Sequence, residues 1–387
     1  MRKLAIITSH PIQYNAPLFE LITRRNKIGV KVFYTWGESV LKDKYDPGFG
    51  KVIEWDIPLL KGYDYEFLEN TSTDKGSHHF SGIINPDAIQ QINAYAPDSV
   101  LVYGWAFKSH LNILRYYKGK IPVLFRGDST LLDKAGFLAS LKRTIFLRWI
   151  YRYVDYALYT GKSNCAYYKK AGLKEKQLVF SPHAIDNARF TCASAECKSA
   201  ASVLRSKLNI QQNEILFLFA GKIEAKKDPI GLAEAFMNAG FSNNAHLLFV
   251  GNGELESALK ASCSSSANIH FLDFQNQSAM PYVYEASNVF VLPSKGPGET
   301  WGLAVNEAMA NGKPVIVSDK CGCAADLVKQ GENGYVFEAG NIAMLAGFLK
   351  KIAEANLTKM GSSSIEIINE YTIERNALAV ESIVNRN

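Results

Sequence analysis

The chain has 387 residues, 47% of them hydrophobic and 21% charged, with 43 basic against 37 acidic side chains for a net charge of +6. That length and apolar content supply two cores and exclude a disordered chain. So small a charge is too weak to argue for nucleic acid and is compatible with a phosphorylated ligand or an anionic surface, while no run reaches the roughly 18–20 uncharged residues of a membrane span.

The opening MRKLAIITSHPIQYN carries a short apolar run, LAIIT, which reads as a first buried strand rather than a signal peptide. His10, Gln13, Tyr14 and Asn15 follow it in a strand-to-helix loop and are candidate substrate contacts. His10 has two readings, a polar contact to substrate or a cap on the next helix. Further strand candidates are VKVFYTW, SVLVYG, IPVLFRG, YALYTG and LVFSP, alternating with helical patterns. That alternation predicts a parallel sheet covered by helices.

Between these strands, His78 and His79 in KGSHHF have no metal-ligand partner spacing and read as loop residues. Arg126 and Asp128 in PVLFRGDS either face a reaction centre or form a salt-linked turn. Residues 137–154, FLASLKRTIFLRWIYRYV, interleave basic and bulky apolar side chains. The expectation is a core-packing helix whose basic groups reach outward; the alternative is a helix docked on anionic lipid. His183 in SPHAID reads as structural, at a domain edge.

The polar stretch NARFTCASAECKSAASVLRSKLNI has no strand character and predicts the interdomain connection. Domains are therefore expected over residues 1–190 and 191–370, with a C-terminal helix at 371–387 packing back on the first. The six cysteines, Cys165, Cys192, Cys197, Cys263, Cys321 and Cys323, form no paired framework and read as reduced thiols of a cytoplasmic protein.

A second strand series follows: EILFLFAG, AHLLFVGNG, ANIHFLD, VFVLPS, PVIVS and NGYVFE. Its loops hold the chemistry, because such sheets bind ligands at the carboxyl ends of their strands. Lys222 and Lys227 sit between a strand and a helix, where two ammonium groups suit phosphate. Gly251 and Gly253 make a second strand–glycine–helix turn, where a backbone approaches a ligand closely. In GPGETWGLAVNEAMANGKP, Thr300 is the expected N-cap of a helix ending before Gly312.

Glu299 then lies at that helix's start and Glu307 inside it, with seven residues between them. From spacing alone two readings stand. Glu299 offsets the helix dipole while Glu307 faces solvent, or both accept hydrogen bonds from sugar hydroxyls beside an anion held at the helix N-terminus.

The succession GK-x4-K, VGNGE, VFVLPS, E-x7-E and NGKPVIVS…GENGYVF, spread over residues 215–340, resembles the GT-B glycosyltransferases of family 4, which are retaining nucleotide-sugar transferases. The resemblance implies two Rossmann-like domains facing a cleft. It implies that Lys222 and Lys227 bind the donor's phosphates, Lys222 standing where the family usually has arginine. Glu307 would bind the ribose, Glu299 the transferred sugar, and amides near Trp301, Gly302 and Leu303 the phosphate and sugar hydroxyls. Phe274 would flank the base. Glu299, Lys227, Arg126 and Asp128 are the residues expected at the reaction centre.

No Asp-x-Asp pair of the metal-holding kind occurs, so neither metal nor other cofactor is expected. The expected partners are a nucleoside diphosphate sugar and a glycan or lipid-linked acceptor, with peripheral membrane contact and no nucleic acid. A nucleotide-sugar epimerase of the same plan and a silent sugar-nucleotide binder are the alternatives.

Overall fold

A computed structural model of the protein describes residues 1–41, 45–46, 48–133, 136–241 and 244–386. Contacts divide it into two units, one of residues 1–44, 58–183 and 373–387, the other of 45–57 and 184–372. The excursion 45–57 and the stretch 184–190 thus group with the second unit, a correction to the expected boundary at 190.

In the first unit seven parallel strands run in the order Asp64–Phe67, Gly29–Tyr34, Lys3–Thr8, Ser99–Tyr103, Val123–Arg126, Tyr156–Tyr159 and Leu178–Phe180. Strand side chains alternate between faces. Leu4 and Ile6 therefore enter one buried cluster while Ala5 and Ile7 enter another across the sheet. Both faces are covered, which is why these strands are continuous apolar runs. The edge strand Asp64–Phe67 escapes sequence reading because its DYEF is largely polar.

The C-terminal helix Ile373–Arg386 contributes Ala377, Val380, Ile383 and Val384 to the cluster that holds Leu4 and Ile6. Glu381 clamps it to the helix Ala16–Arg25 by accepting two hydrogen bonds from Arg25, at 2.7 and 3.0 Å.

The helix Phe137–Tyr151 buries Leu147, Ile150 and Tyr151 and exposes Leu138, Leu141, Ile145, Phe146 and Trp149. The outward stripe is apolar and is flanked by Arg143 and Arg148, so the core-packing expectation accounts for the inner face alone.

The second unit has six parallel strands, ordered Ile269–Leu272, Ala245–Val250, Ile215–Ala220, Val289–Leu292, Val315–Ser318 and Gly334–Phe337. Phe217, Phe219, Leu247, Phe249, Val289 and Val291 anchor its core. Among the described residues no helix is long and apolar enough to cross a membrane. Cys192 and Cys197 are joined by a disulfide, against the expectation of six reduced thiols; their Cα atoms are 5.6 Å apart across a separation of five residues.

Candidate active site

Three loops meet at the carboxyl ends of adjacent strands in the second unit. The first leaves Ala220 through Gly221, at φ 151°, and turns at Ala225–Lys227 into the helix Pro229–Ala239. Asp228 caps that helix, accepting from the Gly231 amide. Its carboxylate also meets Lys295 Nζ at 2.8 Å. Burial raises the Asp228 pKa and Lys295 pulls it back.

The second loop starts at Gly251, where an added Cβ would lie 2.0 Å from the Gly221 carbonyl oxygen. A side chain there would force the two strand ends apart. At Gly253 an added Cβ would stand 2.4 Å from the Ile223 oxygen, so both glycines serve the packing of loop on loop.

The third loop, residues 293–302, carries Glu299. Its shape is fixed by Gly322 and Cys323, whose amides donate to the Glu299 and Trp301 carbonyls at 3.0 and 3.1 Å. Gly302, at φ 98°, is the N-cap of the helix Leu303–Ala310. The expected Thr300 cap is therefore displaced by two residues. Glycine is required here, since an added Cβ would meet Leu292 Cδ2 at 2.7 Å.

This arrangement joins Lys227 Nζ to Glu299 Oε2 at 2.7 Å, with side-chain exposures of 16% and 7%. Ser294 Oγ donates to the same oxygen at 3.0 Å. Glu307 is buried too, and the Tyr284 hydroxyl donates to its Oε2 at 2.7 Å. The reading in which Glu307 faces solvent is thereby excluded. Trp301 is buried, its indole Nε1 donating to Asn306 Oδ1 at 2.8 Å. The buried Cys321 thiol is pushed up to about 12, first by burial and then by the charge of Glu299.

Lys222 turns elsewhere. Its ammonium lies 2.8 Å from Asp46 Oδ1, an oxygen that also accepts from the Gly48 and Phe49 amides. The Phe49 ring stands 4.9 Å from Phe274, and Trp55 is 6.0 Å from Phe274 on centroids. Asn252 Oδ1 receives the Phe274 amide at 2.9 Å. No local signal pointed to Asp46, which lies 176 residues before its partner; the KYDPGFG turn marks only a loop.

In the first unit Arg126 is buried. Its guanidinium donates to the Ser181 carbonyl and hydroxyl at 3.0 and 2.9 Å and to the Pro182 carbonyl at 3.0 Å. It ties the end of the strand Val123–Arg126 to the segment that follows Leu178–Phe180, two strands away in the sheet, through carbonyl acceptors the sequence does not display. Asp128 is half exposed, its Oδ2 4.0 Å from His183 Nε2. Burial, followed by the Arg126 charge, lowers His183 to about 4.

His10 is lowered to about 4 by burial; it bonds Ser9 Oγ at 2.9 Å and packs edge-on against Trp36. It does not cap the following helix, Ala16–Arg25, whose N-cap is Asn15. Gln13, Tyr14 and Asn15 are partly exposed on that same loop.

Residues 202–366, which contain every element of the second-unit site except the 45–57 excursion, match the family "Glycosyl transferases group 1". The segment is similar to a glycosyl transferases group 1 domain. The whole chain is similar in fold to sucrose-phosphate synthase from Thermosynechococcus elongatus, at TM-score 0.72 and 18% identity, covering 100% of this chain and 99% of that one. Against Anabaena Alr3699/HepE in complex with UDP the TM-score is 0.73 at 16% identity, covering both chains completely. The chain thus has the GT-B fold.

A more similar sequence is UDP-Gal:alpha-D-GlcNAc-diphosphoundecaprenol alpha-1,3-galactosyltransferase of Escherichia coli. The two are 28% identical over 193 residues, 46% of this chain and 49% of that protein. The chain therefore spans about half the length of this curated relative.

Proposed function

We propose that the chain is a retaining transferase, moving a hexosyl or N-acetylhexosaminyl group from a nucleoside diphosphate sugar to a hydroxyl of a glycan or lipid-linked acceptor in surface polysaccharide assembly. The observation that carries this reading is the Lys227–Glu299 pair, 2.7 Å apart and almost closed to solvent inside the segment that matches group 1. The diphosphoundecaprenol acceptor in the Escherichia coli relative's name supports a lipid-linked acceptor. It also favours transfer over epimerisation or silent binding.

In this reading the Lys227 ammonium neutralises charge that builds on the departing diphosphate, while Glu299 orients the ammonium and accepts from hydroxyls of the transferred sugar. A phosphate oxygen replaces the Asp46 carboxylate on Lys222. Glu307, held by Tyr284, grips the ribose hydroxyls, and Phe274 lies against the base. Amides of Trp301, Gly302 and Leu303, with the Gly251 and Gly253 turn, complete the donor side. His10, Gln13, Tyr14, Asn15 and Asp128 serve the acceptor. The cations are side chains, so the reaction as proposed calls for neither a divalent ion nor another cofactor.

The exposed face of the helix Phe137–Tyr151 supports peripheral binding at an anionic membrane, with the protein on the cytoplasmic side. Leu138, Ile145 and Trp149 would enter the interface while Arg143 and Arg148 meet lipid phosphates.

The test offers a panel of nucleoside diphosphate sugars with an undecaprenyl diphosphate sugar as acceptor. Release of nucleoside diphosphate coupled to a product of unchanged anomeric configuration is expected. An isomerised sugar nucleotide without release, or binding with no conversion across the panel, would sink the reading. Vesicles of phosphatidylglycerol should sediment the wild type and lose the Leu138→Asp/Ile145→Asp variant at least fivefold; equal sedimentation disproves the membrane contact.

A further inference from the structure

The loop between the edge strand Asp64–Phe67 and the helix Ala88–Tyr95 gathers three side chains that nothing in the proposed reaction uses. We propose that Asp74, His78 and His79 bind a divalent transition metal of the zinc class, held by one carboxylate oxygen and two imidazole nitrogens. One ligand atom from each of the three lies within 4.8 Å of the other two. Asp74 Oδ2 is 3.5 Å from His78 Nε2 and 3.2 Å from His79 Nε2.

Those two distances match the metal. A tetrahedral zinc centre with bonds of about 2.0–2.1 Å has ligand–ligand edges of about 3.3–3.4 Å. Two of the three edges are already at that length. The third closes by rotation of the exposed His78 ring, which stands 4.7 Å from the His79 ring on centroids. The remaining position falls to water, since Asp74 and His78 are exposed. Imidazole nitrogen selects zinc, copper, nickel or iron over magnesium and calcium, which take oxygen.

The loop is built to hold this geometry without an ion. Asn70 and Ser72 are buried polar residues spent on it. Asn70 donates to the Gly82 carbonyl at 2.9 Å and accepts from the Ser72 and Ile84 amides at 3.1 and 3.0 Å. The Ser72 hydroxyl donates to the Asp74 and Ser81 carbonyls at 3.0 and 2.7 Å. Gly76 and Gly82 cross so closely that an added Cβ at Gly82 would lie 2.1 Å from the Gly76 oxygen. His79 Nε2 donates to the Asp74 carbonyl at 3.0 Å, a bond that zinc displaces as the ring proton moves to Nδ1. The entropy of gathering the ligands is thus spent during folding, which leaves more of the binding energy to the metal. The sequence concealed the site because the partner of the two histidines is the aspartate four residues upstream, and only the loop's crossing brings it round.

The experiment titrates the full-length protein, freed of any polyhistidine tag, with zinc chloride by calorimetry in a non-chelating buffer. One zinc per chain is expected, no binding of magnesium, and a thermal midpoint that rises with zinc. Asp74→Asn and His79→Ala should each weaken binding at least tenfold, and His78→Ala/His79→Ala should remove it while keeping the metal-free midpoint of the wild type. X-ray absorption at the zinc edge should show nitrogen and oxygen neighbours only. Absence of stoichiometric binding, unchanged binding in the double variant, or a sulfur neighbour near 2.3 Å would each overturn the proposal. None of these results bears on sugar transfer.

Discussion

Lys227 and Glu299 form an ion pair at 2.7 Å between loops that follow two different strands of the second unit. A pair this enclosed is strongly coupled, because removing one partner strands the other charge where water reaches it poorly. We expect Lys227→Ala and Glu299→Ala each to destabilise the protein by about 2–4 kcal/mol and the double variant by less than their sum. Urea unfolding of the four proteins measures this. Strict additivity would show that the two groups do not sense each other.

Tyr284→Phe removes only the hydroxyl that donates to Glu307. Glu307 then loses one of the bonds that orient it, and nucleoside diphosphate affinity should fall by about 1 kcal/mol, roughly fivefold. Titration calorimetry reads it, and unaltered affinity would separate Glu307 from the donor.

Arg126 distinguishes a strut from a catalyst. Arg126→Ala leaves the Ser181 and Pro182 carbonyls without their donor, so stability should drop by about 2–4 kcal/mol. Turnover per folded molecule should change less than threefold at a temperature where the variant stays folded. A hundredfold loss with unaltered stability would return Arg126 to the reaction centre.

Acid should weaken the first unit through His110, which is fully buried between Thr35 Oγ1 and the Tyr103 and Gly104 carbonyls. Burial lowers its pKa from 6.5 to about 4. Between those pH values the unfolded chain holds a proton that the folded chain does not, so stability falls as pH drops from 6.5 toward 4. This residue alone accounts for a loss on the order of 3 kcal/mol at the acid end. Urea midpoints from pH 7 to 4.5 should decline less steeply in His110→Gln than in the wild type. Identical slopes would remove His110 as the cause.

The twelve apolar strands were legible from the chain because parallel strands buried on both faces must be written as continuous apolar runs, whatever their neighbours. The turn glycines were legible for a related reason, since a close crossing leaves glycine as the residue that fits, as at Gly251, whereas the motif order around Glu299 and Glu307 was legible through its resemblance to a known family. Contacts between distant segments were not. Asp46 reaching Lys222, Ser181 occupying Arg126 and the 45–57 excursion joining the second unit all depend on where separate segments lie in space. Periodicity and composition report burial and local backbone shape. They carry no term for which of many polar groups a side chain meets across a fold, so partner identity was decided by tertiary structure alone.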